Sequence, residues 1–189
     1  MITGPGGALS TPMTWSFYVQ TLLLDCDGVI CDCVAEVHKL AQLMFQRLLP
    51  QPDKWESYSF GVSMGLSIEE EKLFNEIARI DPFPLNIKLY PGADHMIERL
   101  KKVYDVVFVT QPWRGNPHWV PARDRLLEPF GCDVIYTGAK QRVIGDILVD
   151  DKAGHIQKNN MRRSILFARP WNRQYRSGNQ VISSLEELL

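Results

Sequence analysis

Two carboxylates one residue apart, Asp25 and Asp27, directly follow the apolar run of residues 22–24. Thr110 and Gln111 follow a second apolar run, Lys140 comes shortly after a third, and the pair Asp150-Asp151 closes a fourth. In an open α/β sheet, ligands bind beyond the carboxyl ends of the strands. If these runs are strands of one sheet, their ends bring four carboxylates, a hydroxyl and an amine to one rim. Converging carboxylates repel one another unless a cation joins them, and hard oxygen ligands suit Mg²⁺, which can also hold a phosphate. A carboxylate beside such an ion can attack phosphorus and form an aspartyl phosphate. A second carboxyl group can protonate the leaving oxygen and then deprotonate the attacking water. The hydroxyl and amine would neutralise the non-bridging oxygens. Gly28 would let the backbone turn sharply, so that nearby N–H groups face the phosphate.

The elements that must position these residues follow from periodicity. Dense apolar runs predict buried parallel strands at 17–25, 105–110, 132–136, 146–150 and 164–168. Helical spacing predicts a helix over 34–49, with Val37, Leu40, Ala41, Met44 and Leu48 on one face. Ser67 and Glu70 fit a capping box opening a second helix, with Leu73, Phe74 and Ile77 as its stripe. After the turn at Pro91-Gly92 a third helix should bury Ala93, Met96, Ile97, Leu100 and Val103, and a fourth should cover 122–128. The expected fold is a three-layer, Rossmann-like α/β sheet with helices on both faces. Residues 33–88 hold helices and no convincing strand. The expected division is therefore a flexible tail at 1–14, a core at 15–32 and 89–189, and a small helical cap at 33–88.

Composition limits the alternatives. The chain of 189 residues is 45% hydrophobic and 23% charged, ordinary for a soluble domain with a core of normal size. Its net charge of -1 gives no global attraction to nucleic acid or acidic lipid. Arg162-Arg163 reads as a surface cluster. No apolar run reaches the roughly 20 residues of a membrane span. The Gly- and Pro-rich start does not read as a signal peptide. Cys26, Cys31, Cys33 and Cys132 match no zinc spacing, and three of them crowd one segment. A reducing, cytoplasmic setting is expected. Cys26, between the two aspartates, should point into the sheet as a packing residue. His38, His95, His118 and His155 show no mutual spacing of a metal site.

With these residues in view, the chain resembles the haloacid-dehalogenase-like phosphatases. LLLDCDGVI is similar to their first motif, VVFVT to the second, Lys140 to the third and DILVDD to the fourth, in the required order. The runs KLYPGADHMIERLKK and FVTQPW, the step from Lys140 to Asp150 and the helix start at Gly65-Leu66-Ser67 are more narrowly similar to the 5'(3')-deoxyribonucleotidases. The resemblance implies that Asp25 is nucleophile and Mg²⁺ ligand, and that Asp27 is general acid and base with its carbonyl on the metal. It implies that Thr110 binds phosphate and that Lys140 ties Asp25 to it. Asp151 would ligate the metal directly, and Asp150 through water or from behind. The implied substrate is a small phosphomonoester, a (deoxy)nucleoside monophosphate, and relatives of this type often form homodimers. Asp146, at the start of its strand, is expected to lie far from the rim.

The chain departs from that family at the substrate end. Cys33 stands where an aromatic is expected, Gln111 where a small hydroxyl is usual, and Trp113 where an aliphatic residue is usual. Trp55, Tyr58 and Phe60 are the candidate substitutes for the aromatic that Cys33 replaces, and Trp113 and, less directly, Phe60 are candidates to stack on a base. Arg114 could meet the sugar or a second phosphate. Plainer readings stand beside these. Asp-x-Asp can be a turn, Asp150-Asp151 can cap a helix, and aromatics in a helical insertion are usually core. A sugar phosphatase and a catalytically idle nucleotide- or partner-binding protein remain the other readings. A phosphatase of DNA ends is disfavoured by the neutral charge.

Overall fold

The computed structural model describes residues 18–158 and 161–189. The tail expected at 1–14 lies outside the described residues. Six strands form one parallel sheet: β1 (Thr21–Leu24), β2 (Asp105–Thr110), β3 (Asp133–Tyr136), β4 (Ile147–Asp150), β5 (Arg163–Phe167) and β6 (Gln180–Ile182). Their order is β3-β2-β1-β4-β5-β6, so the strand order reverses between β1 and β4. That reversal opens a crevice at the carboxyl ends of the two central strands.

Alternation along β1 separates two cores. Leu22, Leu24 and Cys26 enter the larger one, whereas Leu23 meets Val109, Leu148 and Leu166 in the smaller. Cys26 is therefore the packing residue expected of it. The larger core takes Ile97 and Leu100 from α4 (Ala93–Leu100) and Leu127 from α5 (Trp119–Leu127). The smaller takes Ala153 and Ile156 from α6 (Ala153–Lys158). Helices thus cover both faces.

Between β1 and α4 lie α1 (Cys33–Phe45), α2 (Phe60–Met64) and α3 (Ile68–Ala78). Val37, Leu40 and Ala41 of α1, Met64 of α2 and Phe74 of α3 join Trp55 in an extension of the larger core. Asp32 caps α1 by accepting from the Ala35 amide at 3.0 Å. The capping box of α3 forms as expected, with the Ser67 hydroxyl accepting from the Glu70 amide and the Glu70 carboxylate accepting from the Ser67 amide.

Several elements differ from the expectation. Helix α1 ends at Phe45 because Gln46 turns into the left-handed region, so Leu48 is exposed and Leu49 is buried instead. In α3 Leu73 is exposed and Ala78 takes its place in the core. Val103 lies beyond the end of α4 and is also exposed. Helix α5 begins at Trp119, three residues before the expected start. Strand β3 is an edge strand with alternating exposure rather than a buried one, and β6 is a sixth strand that no apolar run announced. The β1 run is also shorter than 17–25, and Phe17 lies outside the described residues.

Candidate active site

The register of the central strands places the carboxylates. Leu24 pairs with Val149, and the Asp25 amide donates to the Val149 carbonyl at 3.0 Å. Asp25 and Asp150 therefore emerge side by side at the crevice. One oxygen each from Asp25, Asp150 and Asp151 lie within 4.8 Å of one another, and all three residues are buried.

Lys140 opens a short 3-10 turn (Lys140–Arg142) after β3. Its amine is buried between two carboxylates, 2.7 Å from Asp25 Oδ1 and 2.7 Å from Asp150 Oδ2. Burial alone would lower its pKa, but the two carboxylates outweigh burial and raise it. Asp150 is fully engaged: Oδ1 accepts from the Lys152 amide at 2.7 Å, and Oδ2 meets Lys140 and, at 2.8 Å, His155 Nδ1. Burial works against its charge, yet Lys140 and His155 hold its pKa at about 2. Asp25 and Asp151 are less well compensated. Burial, then the charge of Asp150, pushes Asp25 well above the ordinary carboxylate range and Asp151 up to about 7.

Asp151 Oδ2 accepts from Trp171 Nε1 at 2.7 Å, whereas its Oδ1 is buried without a partner. A buried carboxylate oxygen without a donor is costly. Four carboxylates, with Asp27 included, face two permanent cations, Lys140 and Arg123. The donor set is all oxygen, it lacks positive charge, and it has a vacant coordinating atom. These residues fit a divalent hard cation such as Mg²⁺, with Asp25 and Asp151 as ligands and Asp150 bracing from behind.

Asp27 lies at the edge of the site and is partly accessible. Thr110 Oγ1 donates to its Oδ2 at 3.3 Å, and buried Arg123 pairs with its Oδ1. The loop after Asp27 turns at Gly28, whose φ is 76°. A Cβ there would sit 2.3 Å from Asp151 Oδ2, so glycine is required by conformation and by space. Of the amides expected to face a phosphate, those from Gly28 to Cys31 are engaged within the turn. The Gly28 N–H donates to the Cys31 carbonyl, and those of Val29, Ile30 and Cys31 donate to the Cys26 carbonyl.

The open cleft has a volume of about 220 Å³. Asp25, Asp27, Lys140, Phe60, Gln111, Trp113 and Arg114 all line it. Gly28 and Asp151 line a smaller adjoining recess, and Thr110 and Asp150 are wholly buried beneath. Phe60 and Trp113 lie parallel, 5.6 Å apart, so no base fits between them. The edges of Phe74 and Phe83 also pack on Trp113. Its indole is thus largely a core ring, and Phe60 and Tyr58 are the better-placed aromatic surfaces.

Sequence reasoning missed Arg123, which looks like its exposed neighbour Arg125 on the same helix. It named His155 without a role and passed over Trp171, twenty residues after its carboxylate partner. None of the three carries a local signal, because each reaches the site from a separate element. Asp146 lies where expected, away from the rim, accepting from the Thr21 amide at 2.8 Å at the start of β1.

A parallel sheet with this crevice, an Asp-x-Asp loop, a buried lysine and an acidic pair defines a haloacid-dehalogenase-like phosphatase. Residues 19–188 match the family described as 5' nucleotidase, deoxy (pyrimidine), cytosolic type C, and the chain belongs to that family. No curated protein sequence matches it. Solved structures share the fold at low identity. A haloacid dehalogenase-like hydrolase from Streptococcus pneumoniae is 13% identical, with a TM-score of 0.62, over 90% of this chain and 97% of its own. A protein from Clostridium acetobutylicum described as a predicted phosphatase is 16% identical, with a TM-score of 0.57, over 90% and 96%. The proposed HAD hydrolase YfnB of Bacillus subtilis, bound to magnesium, is 16% identical, with a TM-score of 0.52, over 90% and 96%.

Proposed function

We propose that the protein hydrolyses (deoxy)nucleoside monophosphates to nucleoside and phosphate through an aspartyl phosphate on Asp25. The observation that carries the phosphatase reading is the buried Lys140 amine between Asp25 and Asp150, beside the unpartnered oxygen of Asp151. The match to the nucleotidase family over residues 19–188 supports the substrate class.

Mg²⁺ held by Asp25 and Asp151 would supply positive charge to the phosphoryl oxygens. Asp25 Oδ1 is held by the Lys140 amine and the Cys26 amide, each at 2.7 Å, which leaves Oδ2 to attack phosphorus. As the new P–O bond forms, the ester P–O bond breaks, and Asp27 gives its proton to the departing ester oxygen. Asp27 then takes a proton from water. That water attacks phosphorus and releases phosphate, and Asp25 regains its carboxylate. Thr110 turns its hydroxyl toward a non-bridging oxygen, and Lys140 keeps the nucleophile oriented.

We place a helical cap at residues 33–88, with Phe60 and Tyr58 forming the roof for the nucleoside. Gln111 and Arg114 face the sugar side of the cleft. The four cysteines are unpaired, which supports a reducing, cytoplasmic setting. No described helix is long and apolar enough to cross a membrane.

The test is phosphate release from nucleoside and deoxynucleoside monophosphates beside sugar phosphates, with Mg²⁺ and with chelator. Mg²⁺-dependent release led by nucleotides is expected. Release led by a sugar phosphate would overturn the substrate assignment, and release from none would overturn the phosphatase reading.

A further inference from the structure

We propose that Arg123 is a positioning residue that anchors one oxygen of Asp27 so that the other is presented to the leaving group. The inference rests on the phosphatase reading above.

Arg123 sits in the middle of α5 and is fully buried. Its Nη2 donates to Asp27 Oδ1, and its guanidinium lies 4.7 Å from the Trp119 ring centroid. Its Nε and Nη1 are buried without partners. Burying a cation is costly, and an apolar side chain of similar volume would fill the same space at less cost. A guanidinium with two idle nitrogens is a poor device for stability alone. Its placement is explained by the one carboxylate it meets.

The two oxygens of Asp27 are held unequally. Oδ1 has the arginine and, at 3.5 Å, the Cys31 thiol. Oδ2 accepts from the Thr110 hydroxyl at a long 3.3 Å, and the Cys33 thiol is a further weak donor to the carboxylate. When an incoming phosphate takes that hydroxyl, Oδ2 is released while Oδ1 stays fixed, so the carboxyl group pivots about its anchored oxygen. The proton on Oδ2 then passes to the ester oxygen as the ester P–O bond breaks and the Asp25–phosphorus bond forms. In the second half the same oxygen takes a proton from the attacking water. Arg123 keeps its protons throughout.

The test compares two esters of similar shape, phenyl phosphate and p-nitrophenyl phosphate. The nitrophenolate leaves with little help from an acid, and phenolate needs more. Arg123→Met should lower kcat/KM for phenyl phosphate about tenfold more than for p-nitrophenyl phosphate. Asp27→Asn should show the same preference, and adding Arg123→Met to it should cost little further. Arg123→Lys keeps the charge and should recover part of the selective loss. If the Met variant does not fold, the Lys variant carries the comparison, with the same preference at smaller size. Equal losses on both esters, or additive losses in the double variant, would overturn the inference and show a merely structural arginine. Wild-type turnover of neither ester nor of any nucleoside monophosphate would instead remove the phosphatase reading, and this inference with it.

Discussion

Asp151 keeps one oxygen on Trp171 and one without a partner, and burial with the adjacent Asp150 pushes its pKa up to about 7 from 3.8. This has a consequence for stability without metal. Between about pH 4 and about pH 7 the folded state holds a proton that the unfolded state has lost. The folded state binds more protons there, so stability falls as pH rises through that window. Asp25, also raised, acts in the same direction. Asp150, lowered to about 2, stabilises above the unfolded value and loses that contribution only as pH falls through about 2, outside this window. Mg²⁺ favours the ionised carboxylates. Its effect on Tm should therefore be small near pH 5 and large above about pH 7. Asp151→Asn should flatten the metal-free slope and abolish the Mg²⁺ response. Thermal melts at several pH values check this, and a pH-independent response retained in the Asn variant would contradict the assignment.

The loop after β1 is the element on which the site most depends. It turns at Gly28 with φ of 76°, and a Cβ would press on the Asp151 carboxylate. Gly28→Ala should lower stability by at least about 1 kcal/mol from backbone strain alone and should weaken the Mg²⁺-induced rise in Tm. Circular dichroism melts with and without Mg²⁺ would show both effects, and an unchanged Mg²⁺ response would mean that the contact is relieved elsewhere. Elements of this kind were readable in the sequence because strand ends announce themselves: an apolar run, then Asp25, Thr110 or Asp150. Capping chemistry at Ser67 was equally local. Strand β3 misled because an edge strand can carry the same apolar letters as a central one. Strand β6, three residues long, is too short to leave a pattern. Helix α1 ended early at the left-handed Gln46, a residue type that gives no warning of such a turn.

At the scale of the molecule, the strand order puts the aspartate of β1 next to the acidic pair of β4 and leaves a crevice above them. The proposed site residues Asp25, Thr110 and Asp150 could be read from the chain because they lie at the ends of adjacent parallel strands. Arg123, His155 and Trp171 could not, because their approach depends on how α5, α6 and the segment after β5 pack on the sheet. The aromatic wall is a packing outcome as well, with Phe60 contributed by the inserted helices and Trp113 by the loop after β2. The proposed mechanism makes Asp25 the residue that bonds to phosphorus. The most direct test is a rapid acid quench of the wild-type protein turning over p-nitrophenyl phosphate with Mg²⁺, followed by peptide mass spectrometry. One phosphoryl group is expected on the peptide containing Asp25 and none in Asp25→Asn, which should also release no phosphate. Phosphate release by Asp25→Asn at the wild-type rate, or a phosphoryl group found on another residue, would contradict that mechanism.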